Sequence, residues 1–183
     1  NNSKDVIARF HAAGRFYEIS DLESHRALIP NRGVVADVGA NVGNHAVFYD
    51  MFTPSEKIFV FEPNPVARRG LRRNIAKNLC DSIDLSFAKF GVGQDVGLAD
   101  VHWDRPDNLG SASLHESEGG GVNVVSLDSV FADVGLRVDF IKVDVEGMEL
   151  EVLRGAWNSL RRYLPVLAVE VALENVADFS VFV

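Results

Sequence analysis

The chain has 183 residues, 47% of them hydrophobic, and 26 acidic against 18 basic side chains give a formal net charge of −8. That size suits one well-filled core and falls short of two ordinary domains, while the negative balance argues against nucleic acid or an anionic membrane as partner. One cysteine, Cys80, read as a core residue, excludes an intrachain disulfide, and the longest greasy stretch, LPVLAVEVAL, is interrupted by Pro165 and Glu170, so the protein reads as cytoplasmic with no membrane span.

Residues 4 to 29 combine an aromatic run, GRFYEIS, with a helix opened by Ser20 or Asp21 and closed before Pro30, and residues 1–30 read as an N-terminal cover. Asn31 and Gly33 mark the turn into VVADV, whose unbroken apolar character fits a strand covered on both faces by helices. The segment DVGANVGNH, Asp37 to His45, hands over to a helix from Asn44 to Phe52 with Val47, Phe48 and Met51 at helical spacing. KIFVFEP then returns as a second buried strand, which makes the unit βαβ. Gly39 and Gly43 can take up backbone angles closed to other residues and let main chain approach a ligand, beside the unpaired N–H groups of the helix start. Glu62 ends the second strand at about the distance beyond the loop at which Rossmann-like folds bring an acid to a ribose. The plainer alternative is a tight turn with Asp37 capping the helix.

Charge narrows the choice of nucleotide. A dinucleotide's pyrophosphate favours a GxGxxG loop or nearby cations, yet no Lys or Arg lies between Gly33 and Asp50 and the loop opens on Asp37. S-adenosylmethionine carries an ammonium and a sulfonium, which an acid attracts.

Pro65 suits the first turn of a helix running to about Asn78, with Val66, Leu71, Ile75 and Leu79 inward and Arg68, Arg69, Arg72, Arg73 and Lys77 on a solvated face. A third strand, IDLSFAKF, precedes GVGQDVG, and the alternating VGLADVHW reads as an exposed antiparallel strand. Between Asp104 and Gly121 the turn-rich RPDNLGSASLHESEGGG has no period and reads as a long loop, whose Ser111, Ser113 and His115 are able to hydrogen-bond a polyol. VNVVSLDSVFADVG holds a strand and a short helix, and VDFIKVDVEGMELEVLRGAW is a strand running straight into an acidic helix start. The resulting organisation is a single domain over 1–183, with a cofactor-binding half at 31–95, a strand and loop insertion at 96–125 and a C-terminal half at 126–183.

In an open parallel sheet ligands bind outside the carboxyl ends of the strands, so Asp37, Glu62, Asp144 and Glu146 are expected to converge on one edge. The competing reading has Asp144 capping the following helix while Glu146 and Glu149 complement its dipole, and for Glu149 that reading is preferred. Alternation puts Lys142 on the same side as Asp144 in a buried strand, so its ammonium needs a carboxylate partner. Asp144, Glu146 and Glu170 would make a hard-cation site if they met, but no His or Cys cluster accompanies them and no metal is predicted.

DVGANVGNH, FEPNP, the GSASL loop, VVSLDSV and above all DFIKVDVEGMELEVLRGA resemble the FkbM-type S-adenosylmethionine-dependent methyltransferases over roughly residues 33 to 173. The resemblance implies an α/β fold of class I methyltransferase type, Rossmann-like, with a mostly parallel sheet and helices on both faces. It implies S-adenosyl-L-methionine as cofactor, with Asp37, Gly39, Asn41 and Gly43 at its methionine end, Glu62 on the ribose and Gly91 and Val92 where the adenine lies. Asp144 and Glu146 would face the reacting edge, and the implied reaction is O-methylation of a small-molecule or glycan hydroxyl. Asp144 or Glu146 is the expected base; Lys142 is either an ion-pair member or a site residue, His45 and His115 are further candidates, and His102 ranks below them. Such folds usually finish with an antiparallel strand pair after LPVLAVEV, which here reads as missing or degenerate, as in a trimmed chain, and edge pairing in a homodimer would compensate. A non-catalytic nucleotide-binding or scaffold module and an NAD-dependent oxidoreductase are the rival readings.

Overall fold

The computed structural model describes residues 6–103, 112–116 and 120–171, without the side chains of 8, 101–103 and 112–116. In chain order the elements are α1 (Val6–Ala12), α2 (Ile19–Leu28), β1 (Val34–Val38), α3 (Asn44–Phe52), β2 (Lys57–Phe61), α4 (Pro65–Asn78), β3 (Ile83–Asp84), β4 (Gly91–Val92) and β5 (Gly97–Trp103). There follow β6 (Ala112–Glu116), β7 (Val122–Val125), α5 (Leu127–Val134), β8 (Phe140–Val143), α6 (Glu149–Arg154), α7 (Trp157–Tyr163) and β9 (Val166–Val169).

Five strands form a sheet in the order β3-β2-β1-β8-β9, every neighbouring pair parallel. Side chains alternate across it, because successive Cβ atoms of a strand point to opposite faces. Val35, Ile58, Val60 and Phe140 pack with Leu22, Phe48, Tyr49 and Leu71 from α2, α3 and α4. Val34, Ala36, Phe59, Phe61 and Ile141 pack on the other face with Leu127, Phe131, Val152 and Leu153 from α5 and α6. The expected sheet with helices on both faces is therefore present. A second sheet, in the order β4-β7-β5-β6, pairs β4 with β7 in parallel and β5 with both neighbours antiparallel. Its Val92 joins the second core cluster, which ties the two sheets together.

Several expectations are corrected. The third strand stops at Asp84, where Asp84 Oδ1 accepts the Ser86 N–H at 2.8 Å while the same carboxylate pairs with Lys57 at 2.7 Å, turning the chain out of the sheet. Gly91 and Val92 consequently form their own strand against β7. The long loop contains β6, which pairs along β5 in the register Asp100↔His115 and His102↔Ser113. Ser111 lies outside the described residues, as do the residues beyond Val171 on which the finishing strand pair would fall.

The helix at Pro65–Asn78 has the expected bounds, fixed by Asn64 Oδ1 accepting the Val66 and Ala67 N–H groups. Val66 and Leu79 nevertheless face out at 40% and 81% exposure, because Val66 shares the outward face with Arg69 and Arg73 and Leu79 is the left-handed C-cap residue. Met51, at helical spacing with the buried Val47 and Phe48, is 47% exposed. The acidic helix begins only at Glu149, five residues after Asp144, and no side chain caps it; Asp144 is thus not its cap. Helix α2 opens at Ile19 after a left-handed Glu18 rather than on a Ser20 or Asp21 cap.

Candidate active site

Asp37 at the carboxyl end of β1 and Lys142 on β8 are register partners on the α2–α3 face of the sheet. Both are buried, and Lys142 Nζ lies 3.5 Å from Asp37 Oδ1, 2.9 Å from Asp144 Oδ2 and 3.1 Å from the Gly39 carbonyl, to which it donates. Burial pulls the Lys142 pKa down, but Asp37 and Asp144 outweigh it and hold the ammonium above its ordinary range. Burial raises Asp37, with Lys142 opposing that shift and Asp144 adding to it. The partner that the sequence required for Lys142 is therefore Asp144, with Asp37 as a second.

The loop after β1 is shaped by close approach. Gly39 has φ 78°, and a Cβ there would collide with the backbone carbonyl oxygen of Asp144, so this glycine lets β1 and β8 exit side by side. Gly43 has φ 88°, and a Cβ would come within 2.7 Å of Leu71 Cδ1. It opens α3 with no side-chain cap of its own, and the Ala46 N–H in the first turn of that helix pulls the Asp37 pKa down against the effect of burial. Asn41, left-handed at φ 49°, donates its N–H to Glu62 Oε2 at 2.8 Å, and the Asn64 N–H reaches Glu62 Oε1 at 2.8 Å. Burial lifts the Glu62 pKa to about 7 against the pull of these two amides, Lys142 and Arg68. Among the described residues the buried side-chain atoms with no hydrogen-bond partner are both Asp37 oxygens, Asn41 Oδ1 and Asn64 Nδ2, all belonging to this edge.

The N-terminal cover closes over the same end of the sheet. Asn44 Oδ1 accepts the Tyr17 N–H at 3.0 Å and its Nδ2 donates to the Tyr17 carbonyl at 3.0 Å, fixing Tyr17 and Glu18 to the start of α3. His45 Nε2 is 3.9 Å from Glu18 Oε2. Burial, then Lys142 and His25, lower the His45 pKa well below its usual value, which leaves the imidazole neutral at pH 7. Glu170, first residue after β9, donates its N–H to the Val143 carbonyl at 2.9 Å, and the Asp144 charge, followed by burial, raises its pKa to about 7.

The structure thus brings Asp37, Gly39, Lys142 and Asp144 together, with Glu62 and Asn41 one strand over. Glu146 is exposed in the turn before α6, and Glu149 Oε1 accepts the Gly147 N–H at 3.0 Å. Val92 packs into the core with Phe59 and Phe61. His102, Ser113 and His115 sit on the outer strand pair of the second sheet, not in the loops of the carboxyl edge. Tyr17 and Glu18 carry no role in the sequence reading, and Glu170 enters it only as a third oxygen donor beside Asp144 and Glu146. Glu170 was accessible by the rule applied to Asp144, since both immediately follow parallel strands in register; nothing in GRFYEIS marked Glu18.

Residues 37–180 match the methyltransferase FkbM domain. The chain belongs to the FkbM methyltransferase family. Relatives include the methyltransferase sdnD of Sordaria araneosa at 31% identity, over 70% of this chain and 62% of that protein. The hexuronic acid methyltransferase AglP of Haloferax volcanii is 30% identical over 70% of this chain and 52% of that protein, and the 2-O-methyltransferase NoeI of Sinorhizobium fredii is 27% identical over 78% and 67%. This FkbM chain thus spans between about half and two thirds of the length of these relatives. A precorrin-6y C5,15-methyltransferase from Geobacter metallireducens superposes with a TM-score of 0.51 at 16% identity, covering 89% of this chain and 66% of that one. A precorrin 8w decarboxylase from Methanobacterium thermoautotrophicum does so at 0.52 and 16%, over 90% and 68%. At that identity the likeness carries the fold of class I methyltransferases.

Proposed function

We propose that this FkbM-family chain transfers the methyl group of S-adenosylmethionine to a hydroxyl of a sugar or secondary metabolite. The observation that carries the reading is the set of acids on neighbouring parallel strand ends, Asp37 on β1, Glu62 after β2 and Asp144 after β8, in a chain of this family. The residues fit the cofactor: Asn41 Oδ1 offers a buried, unused acceptor in the loop, and Lys142 cancels only one of the two carboxylates it touches. Asp37, Gly39, Asn41 and Gly43 would hold the methionine end, Glu62 the ribose hydroxyls, and Gly91 and Val92 the adenine side. The cofactor supplies an activated methyl carbon. The chain's work is to hold the acceptor oxygen in line with it and to take up the acceptor proton, worth about two to four orders of magnitude from a positioned base.

An NAD-dependent reading lacks support, because the buried Lys142 is held between carboxylates rather than facing a pyrophosphate site. In the favoured reading residues 1–183 work as one domain in the cytoplasm, with Cys80 as a buried free thiol suited to a reducing compartment. The acceptor is a small molecule or glycan; neither nucleic acid nor membrane takes part, and the β9 edge is where a second copy would pair. Among the described residues no helix is long and apolar enough to cross a membrane.

Calorimetric titration with S-adenosylmethionine, S-adenosylhomocysteine and NADH tests the reading. Binding of the first two and not the third supports it; NADH binding alone would replace it, and binding without turnover on any acceptor would favour the scaffold module.

A further inference from the structure

The strand that follows the Asp144 strand brings a second carboxylate to the same edge. Val143 and Val169 are register partners, so Asp144 and Glu170 leave neighbouring strands side by side, held by the Glu170 N–H on the Val143 carbonyl at 2.9 Å. From across the edge the cover contributes Glu18, whose carboxylate lies 3.9 Å from His45 Nε2 and raises the Glu170 pKa. Lys142 is already bonded to Asp144 and to the Gly39 carbonyl. An independent sign of a ligand here is Asn41 Oδ1, a buried acceptor with no hydrogen-bond partner in the loop beside this edge, whereas the buried Asp37 is paired with Lys142. Glu146, the other carboxylate expected at this edge, lies in the turn before α6 rather than on the residue that follows a strand.

Resting on the methyl-transfer reading above, we propose that Glu170 is the catalytic residue that receives the acceptor proton, and that Glu18, Asp144 and Glu170 together select an uncharged polyol over an anionic acceptor. In the step, the acceptor oxygen forms a bond to the methyl carbon as the carbon–sulfur bond breaks and its electron pair stays on sulfur as a thioether. The hydroxyl proton passes to the Glu170 carboxylate, shared with Asp144, so the cationic donor and the anionic base both end neutral. Asp144 first, then burial and Glu18, raise the Glu170 pKa to about 7, with Lys142 opposing, so the base form gains population as pH rises through neutrality. After Lys142 cancels one carboxylate and the cofactor's cationic end another, negative charge remains at the edge. A uronate brought there would meet like charge.

The test uses the full chain with S-adenosylmethionine labelled in the methyl group and, as acceptor probes, methyl glycosides of glucose, galactose and mannose beside the matching uronates. We expect transfer to at least one neutral glycoside, with kcat/KM about tenfold or more below it for its uronate. Glu170→Gln should lower kcat about 100-fold, abolish the rise of kcat/KM through pH 7 and leave S-adenosylhomocysteine affinity within about twofold. Glu18→Gln should narrow the gap between neutral and uronate probes. Preference for uronates, cofactor binding without transfer to any neutral glycoside, or undiminished kcat in Glu170→Gln would each overturn the proposal. Loss of S-adenosylhomocysteine binding in Glu170→Gln would make that residue structural, whereas absence of cofactor binding in the unaltered chain would defeat the methyl-transfer reading itself.

Discussion

Asp37 and Lys142 face each other across the two central strands of the parallel sheet, both buried, with Lys142 Nζ 3.5 Å from Asp37 Oδ1 and 2.9 Å from Asp144 Oδ2. One cation thus holds the acid of the β1 loop and the acid at the end of β8, and any change at one centre is felt at the other.

Lys142→Met removes the only cation in ion-pair contact with Asp37 among the described residues and should destabilise the fold by about 3–5 kcal/mol, since it leaves a buried charge uncompensated. Urea unfolding measures this. Adding Asp37→Asn should restore part of the loss, and a double variant worse than the sum of the singles would contradict the pairing.

Gly39→Ala forces a Cβ against the Asp144 carbonyl oxygen at φ 78°. The expected cost is about 2 kcal/mol or more, read as a fall in Tm. A Tm shift within error would mean that β1 and β8 separate freely at this end.

Cofactor affinity should depend on pH through Glu62, whose pKa burial raises to about 7 from 4.5. Ribose hydroxyls donate to the carboxylate form, so affinity for S-adenosylhomocysteine should rise as pH passes about 7, and Glu62→Gln should flatten the curve. Stability of the free protein runs the other way. Folding raises this pKa, so the Glu62 contribution is full below 4.5 and is lost as pH climbs through about 7. Calorimetry and thermal unfolding across that range separate the two, and equal slopes in wild type and Glu62→Gln would remove Glu62 from the site.

Asn44→Ala deletes both hydrogen bonds that clamp Tyr17 to α3, at 3.0 Å each. Expected are a loss of about 1–3 kcal/mol and faster amide exchange in the segment carrying Tyr17 and Glu18. Unchanged exchange there would show that the aromatic contact of Phe16 with Phe48 suffices to hold the cover.

The parts legible in the sequence are those with local causes. The unbroken apolar runs VVADV and KIFVF gave buried parallel strands, Pro65 after Asn64 gave the start of α4, and alternation in FIKVD demanded a carboxylate for Lys142. What was missed has non-local causes. The third strand was overrun because Asp84 is drawn away by Lys57 and Ser86, partners that no periodicity announces. β6 escaped notice because its pairing along β5 depends on register with a distant strand rather than on its own pattern. Glycines 39 and 43 also make room within the protein, since the atoms nearest their missing Cβ positions belong to Asp144 and Leu71, a close approach that no periodicity announces. Glu18 reaches the edge because tertiary contacts hold the N-terminal segment over it, among them the bond of the Tyr17 N–H to Asn44, a residue 27 positions away.

The measurement that bears most directly on the central claim is a crystal structure of the chain with S-adenosylhomocysteine. The account predicts the ribose hydroxyls on the Glu62 carboxylate, the methionine end against the loop from Gly39 to Gly43, and the sulfur directed toward Asp144. A ligand bound away from the carboxyl ends of β1, β2 and β8, or one that leaves Glu62 without contact, would contradict it.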